Sequence, residues 1–169
     1  MILGWAQALI ALVALQRLAE LVYAGRNTQA LLARGAIETG AGHYPLMVLL
    51  HGGWLVALAV FTKANPDPQW VWLAVFFVCQ GLRAWVLTSL GPYWTTRIIT
   101  LPGAVAVRTG PYRYVRHPNY VIVALEIPSL PLGLGLPWVA LVFGLLNLAL
   151  LAYRIRIEDG ARKALPGVG

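Results

Sequence analysis

The chain has 169 residues, of which 59% are hydrophobic and only 11% charged, with a mean hydropathy of +0.70. Soluble domains carry about 25% charged residues, so this composition excludes an ordinary water-soluble domain and points to a bilayer. The formal charge of +7 does not indicate a nucleic-acid partner, because the arginines lie at the ends of apolar runs, where membrane orientation accounts for them.

At roughly 20 residues per span, the length permits about five transmembrane helices in a single domain, residues 1–169, and the expected fold class is an all-α integral membrane bundle. Cys79 stands alone inside an apolar run and reads as a small packed side chain, with no disulfide framework. The N-terminus lacks a basic leader and an obvious cleavage pattern, so the first span is expected to be retained.

Ile2 to Val22 reads as the first span, with Arg17 and Glu20 in its last turns. Their spacing of three puts them on one helical face, where they can pair, face a wet cavity or snorkel to the interface. Tyr23 to Gly42 is polar and interrupted by Gly35, Gly40 and Gly42, the pattern of a loop. His43 to Thr62 is the second span and carries His51, which suits either a functional role or a bond to a neighbouring helix. A turn from Lys63 to Pro68 leads to the third span, Gln69 to Leu90, with Arg83 near its end.

Gly91 to Pro118 is a long loop, too polar for the bilayer core. Within it Thr95 to Thr100 and Ala104 to Thr109 are β-prone and separated by Leu-Pro-Gly, which predicts a small hairpin or extended clamp. Asn119 to Leu132 and Pro137 to Tyr153 are two short spans joined by Gly133 to Pro137, a tight helical hairpin bent by Pro128 and Pro131. Glu126 is the one carboxylate deep in apolar sequence; it must be paired or protonated, as a partner of Arg17 or Arg83 or as a base for a hydroxyl acceptor. With five spans and the basic loops inside, the N-terminus is expected outside and the C-terminus in the cytoplasm, with Lys63 alone opposite the other basic residues.

Two stretches carry chemistry that membrane loops do not need, both within residues 91–160. Gly110-Pro-Tyr-Arg-Tyr-Val-Arg-His-Pro-Asn-Tyr120 gathers three Tyr, two Arg and one His before an apolar run. Pro118 drives His117 out of the α region and suits the first turn of the next helix, whose free N–H groups then face the loop as an anion site. The second is Arg154-Ile-Arg-Ile-Glu158-Asp159. Arg154 and Glu158 share a face if the helix continues, in the order less favourable to a simple ion pair and at the end where the helix dipole disfavours Glu.

Arg-His-Pro-x-Tyr followed by Arg-x-x-x-Glu-Asp resembles the isoprenylcysteine carboxyl methyltransferase family, in a bacterial branch related to phospholipid methyltransferases, closely from about Ala104 to Asp159. The resemblance implies a membrane enzyme of the bacterial inner membrane that uses S-adenosylmethionine, with S-adenosylhomocysteine as product. It implies that Glu158, Tyr112, His117, Pro118, Asn119, Tyr120 and the segment Ala104, Val105, Ala106 and Val107 bind the cofactor in a cytoplasmic loop. Arg154 would orient the acceptor oxygen, with Glu126 as a second candidate in catalysis and no metal. The acceptor would be a lipophilic carboxylic acid, or an enol or phenol on an alkyl chain. An NADPH-dependent membrane reductase related to steroid and sterol reductases is the enzymatic alternative. A small non-enzymatic transporter is the other, but it would line a path across the bilayer with polar residues rather than cluster them at one face.

Overall fold

A computed structural model describes residues 4–105 and 107–164. It contains five α-helices: α1 (Trp5–Ala33), α2 (Tyr44–Phe61), α3 (Trp70–Leu90), α4 (Pro118–Gly133) and α5 (Pro137–Ala164). Two three-residue strands, β1 (Ile37–Thr39) and β2 (Ile98–Thr100), pair antiparallel. The protein is an all-α membrane bundle: four of the helices are long and apolar enough to cross a bilayer, with outward-facing Leu12, Leu49, Val71 and Leu145 left for lipid.

The fifth, α4, has 16 residues, about 24 Å at 1.5 Å per residue, short of a hydrocarbon core of about 30 Å. Its position makes up for its length. Nine of its 16 residues are buried, and it packs chiefly against α3 and α5, so it is the interior helix of the bundle. Pro128 and Pro131 lie within it. A proline at 131 removes the N–H that would have bonded the Ile127 carbonyl; the buried indole N–H of Trp54 on α2 donates to that carbonyl instead, at 3.0 Å.

The first helix runs 11 residues beyond the expected end at Val22 and reaches Ala33. Its inward stripe recurs every three or four residues through Ala6, Ile10, Val13, Ala24, Asn27, Thr28 and Leu31, and Arg17 and Glu20 fall on the same stripe. The polar stretch after Tyr23 is therefore helix and not loop. Thr28 bonds back to the Ala24 carbonyl at 2.8 Å, and Asn27 donates to the carbonyls of Gly91 (3.1 Å) and Trp94 (2.9 Å). Gly35, at φ +87°, ends the helix. Its N–H reaches Leu32 O and that of Ala36 reaches Leu31 O, the paired bonds of a Schellman cap.

The expected hairpin within the long loop is also corrected. Ile98–Thr100 pairs with Ile37–Thr39, from the connection between α1 and α2, and not with the described residues of the segment 104–109. Arg97 secures the pairing with two bonds to the Glu38 carboxylate, at 2.9 and 3.0 Å, and its guanidinium lies over the Tyr44 ring. At the other end of the chain α5 continues to Ala164 instead of stopping at Tyr153, which keeps Arg154 and Glu158 helical.

Arg17 and Glu20 do not snorkel outward: both side chains turn into the bundle and bond to other helices. Glu126 is fully buried and accepts from Arg17, from Arg83 on α3 and from Gln80. Glu20 accepts from Arg17 (2.8 Å), Arg83 (3.2 Å) and Gln16 (3.0 Å). Two cations and two carboxylates thus alternate, and the network is neutral as a whole. Removing one partner of such a set strands a buried charge, which costs about 3–5 kcal/mol. Glu126→Ala is accordingly expected to lower unfolding stability in detergent by about that amount; a loss under about 1 kcal/mol would show that the network does not hold the helices together.

Candidate cofactor and acceptor site

The two motifs meet where α4 begins and α5 ends. His117 has φ −128° and ψ 63°, outside the α region, and α4 starts at Pro118. The first turn is tight: the N–H groups of Tyr120 and Val121 both reach His117 O, at 3.1 and 3.4 Å. One of the donors expected to face a ligand, the Tyr120 N–H, is thus taken by the helix itself, while that of Val121 makes the regular first helical bond. Gly110 opens the preceding turn at φ +57°, with a Cβ there falling 2.0 Å from the Ser89 hydroxyl, so both conformation and space call for glycine.

Asn147 and Arg154 are buried two turns apart on α5, and Glu158 follows one turn later on the same stripe. The Tyr120 hydroxyl joins the motifs. It accepts from Arg154 Nε at 2.9 Å and donates to Glu158 Oε2 at 2.7 Å. Arg154 Nη1 also donates to the Thr96 carbonyl (2.8 Å) and contacts Met47 Sδ (2.9 Å), so this one guanidinium ties α5 to α4, to the long loop and to α2. The His117 ring stacks on that of Tyr120, with centroids 5.1 Å apart, and its Nδ1 lies 3.8 Å from Glu158 Oε1. Arg116 reaches Asp159 at 3.4 Å.

Above these groups is a cavity of about 880 Å³. Of the residues expected at a cofactor, Ala104, Val105, Val107, Tyr112, His117, Asn119, Tyr120 and Glu158 line it, together with Arg154. Pro118 is buried and starts α4 without being part of the lining. Ala106 lies outside the described residues. Five arginines, Arg97, Arg108, Arg113, Arg116 and Arg154, line the cavity with the carboxylate of Glu158, and two of them, Arg97 and Arg116, pair with Glu38 and Asp159 outside the lining. Burial, aided by the charge of Glu158, pushes the Tyr112 phenol up to about 12, so near neutral pH it is a hydrogen-bonding group and not a base.

The structure does not bring Glu126 to this cavity: the ion network holds it inside the bundle. His51 Nδ1 is bonded to the Met47 carbonyl of its own helix at 2.9 Å, and buried His43 to the Gly40 carbonyl; neither lines the cavity. The sequence reading missed three contributors. The Thr96 carbonyl is backbone and carries no residue signature. Met47 is one apolar residue of a span. Trp94 looks like an interfacial aromatic, yet it lines the cavity at 3% exposure, and its buried Nε1 has no partner among the described residues.

Comparison with known proteins identifies the family. Residues 72–163 match the isoprenylcysteine carboxyl methyltransferase (ICMT) family. Among relatives, the uncharacterized protein YpbQ of Bacillus subtilis is 41% identical over 157 residues, covering 90% of this chain and 94% of that one. An uncharacterized protein of Haemophilus influenzae is 30% identical over 145 residues, covering 83% of this chain and 84% of its own. No solved structure matches significantly. A matched segment that contains both motifs, which sit at the start of α4 and near the end of α5, places this integral membrane chain in the isoprenylcysteine carboxyl methyltransferase family.

Proposed function

We propose that this membrane methyltransferase uses S-adenosylmethionine to methylate an oxygen of a lipophilic acceptor, in a site open to the cytoplasm. The observation that carries the reading is the Tyr120 bridge, which fixes Arg154 and Glu158 beside one cavity. The lining suits the cofactor. Glu158 offers a carboxylate to an ammonium or to ribose hydroxyls, and Asn119 Oδ1 is buried without a partner among the described residues. The arginines suit a carboxylate, and the ring faces of Tyr112 and Tyr120 tolerate a sulfonium. About 880 Å³ is at the upper end of the usual range of roughly 300–1,000 Å³ for ligand pockets, which leaves room for an acceptor alongside.

When bound, the cofactor supplies a methyl group on sulfur, the C–S electron pair staying with sulfur as the acceptor oxygen forms the new C–O bond. The leaving group is neutral and needs no proton, so the protein's part is positioning and electrostatics. Arg154 is held by Tyr120 and Thr96 and orients the acceptor oxygen. The excess of arginines favours an acceptor that arrives ionised, and the candidate bases Glu126, His43 and His51 lie outside the lining. These observations support a carboxylate over a hydroxyl. The distribution of basic residues supports an N-terminus outside and the site on the cytoplasmic side, in the inner membrane of a bacterium.

Calorimetry on the purified protein is expected to show binding of S-adenosylhomocysteine; heat with NADPH and none with the sulfur cofactors would replace this reading with a reductase. Glu158→Ala should weaken cofactor binding roughly 10- to 150-fold, the loss of a charge-assisted hydrogen bond of about 1.5–3 kcal/mol. Arg154→Ala should instead lower turnover with the cofactor still bound, as measured by radiolabelled methyl transfer.

Acceptor affinity is expected to rise with alkyl chain length, each buried methylene contributing about 0.8 kcal/mol, until the apolar groove is filled. With alkyl acids the rate should be flat above the acid's own pKa, since the nucleophile is already ionised; with alkyl phenols it should follow the titration of the group that removes the proton. Equal rates for short water-soluble and long-chain acids would rule out a lipid acceptor.

A further inference from the structure

Trp94 follows the end of α3, and Asn27 of α1 holds its backbone carbonyl at 2.9 Å. Its indole packs in an apolar cluster with Ala24 of α1, Val86 of α3 and Ile122 of α4, so it marks where the cavity meets the interior of the membrane bundle. An indole N–H can donate but not accept. Here the donor is buried and without an acceptor among the described residues, on a residue that lines the cavity. Buried donors are nearly always satisfied, and an exception at a cavity wall suggests that a ligand supplies the missing acceptor. The Trp54 indole, equally buried, has its carbonyl, which sets Trp94 apart.

We propose that Trp94 is an acceptor-binding residue whose Nε1–H donates to an oxygen of the acceptor's anionic head. The inference rests on the methyltransferase reading above and adds where the acceptor sits. Tyr120, Arg154 and Glu158 are bonded to one another on the wall made by α4 and α5. Trp94 belongs to the wall made by the ends of α1 and α3, where Leu31 and Leu90 also line the cavity and suit a hydrocarbon tail. A carboxylate held there by one oxygen keeps the other available for the methyl group.

The test follows the indole proton of Trp94 by NMR in micelles, assigned by its loss in Trp94→Phe, while S-adenosylhomocysteine, dodecanoic acid and 4-dodecylphenol are added separately and in pairs. The expected result is a downfield shift on adding dodecanoic acid or 4-dodecylphenol to the S-adenosylhomocysteine complex, and little change with S-adenosylhomocysteine alone. In turnover, Trp94→Phe should raise KM for an ionised acid probe roughly 10- to 150-fold, the loss of one hydrogen bond to a charged group, with S-adenosylhomocysteine affinity unchanged. A shift with S-adenosylhomocysteine alone, matched by weaker cofactor binding in Trp94→Phe, would make Trp94 a cofactor contact and overturn the proposal. An indole resonance unmoved by every addition would overturn it as well. Failure of the parent reading would be distinct: wild-type protein would show no heat with S-adenosylhomocysteine and no methyl transfer to either probe.

Discussion

The demand of Glu126 for counter-charge shapes the bundle. A carboxylate with no exposed surface inside a membrane protein must be compensated by groups that reach it from other helices. Here Arg17 comes from α1, Arg83 and Gln80 from α3, and Glu20 balances both arginines. Those bonds set the depth of α1 and α3 against α4. The C-terminal end of α1 consequently carries Asn27 to the carbonyls of Gly91 and Trp94 just past α3, where the loop around the cavity begins. Charge pairing in the interior and the shape of the site are consecutive parts of one structure.

A second set of polar links closes the site from its other side. Arg154 and Glu158 share the Tyr120 hydroxyl, Arg154 also takes the Thr96 carbonyl, and one residue later Arg97 is bonded to Glu38. β1 and β2 then bind the α1–α2 connection to the same loop. Residues more than a hundred positions apart become neighbours through a few side chains, with an Arg at each junction. Its planar fork can serve several acceptors at once, as a Lys ammonium could not in the same geometry.

What could be read from the sequence followed from spacing and composition. Apolar runs marked the helices, Pro118 marked the start of α4, and two motifs of fixed spacing drew attention to the residues that line the cavity. The end of α1 was misplaced because Arg26, Asn27, Thr28 and Gln29 have the composition of a loop, whereas Asn27 and Thr28 lie on the helix's inward stripe. The partner of β2 was not legible, since three-residue strands far apart in the chain carry too little pattern to specify a register. For Glu126 the sequence demanded a cation and offered Arg17 or Arg83; packing supplied both. Backbone acceptors such as Thr96 O were beyond any residue-based reading.

The pairing of β1 with β2 bears on how the chain can be divided. Residues 72–163 contain both motifs and would pass for a self-sufficient unit. Yet Arg17, Glu20, Asn27, Glu38 and Met47 all lie before that segment, and each is bonded to a group within it. A fragment beginning at α3 would keep every signature residue while leaving Glu126 with Arg83 as its one arginine and Arg97 without its carboxylate. The first two helices therefore supply partners that the motif-bearing half needs, and a transplant of this site has to move the whole bundle.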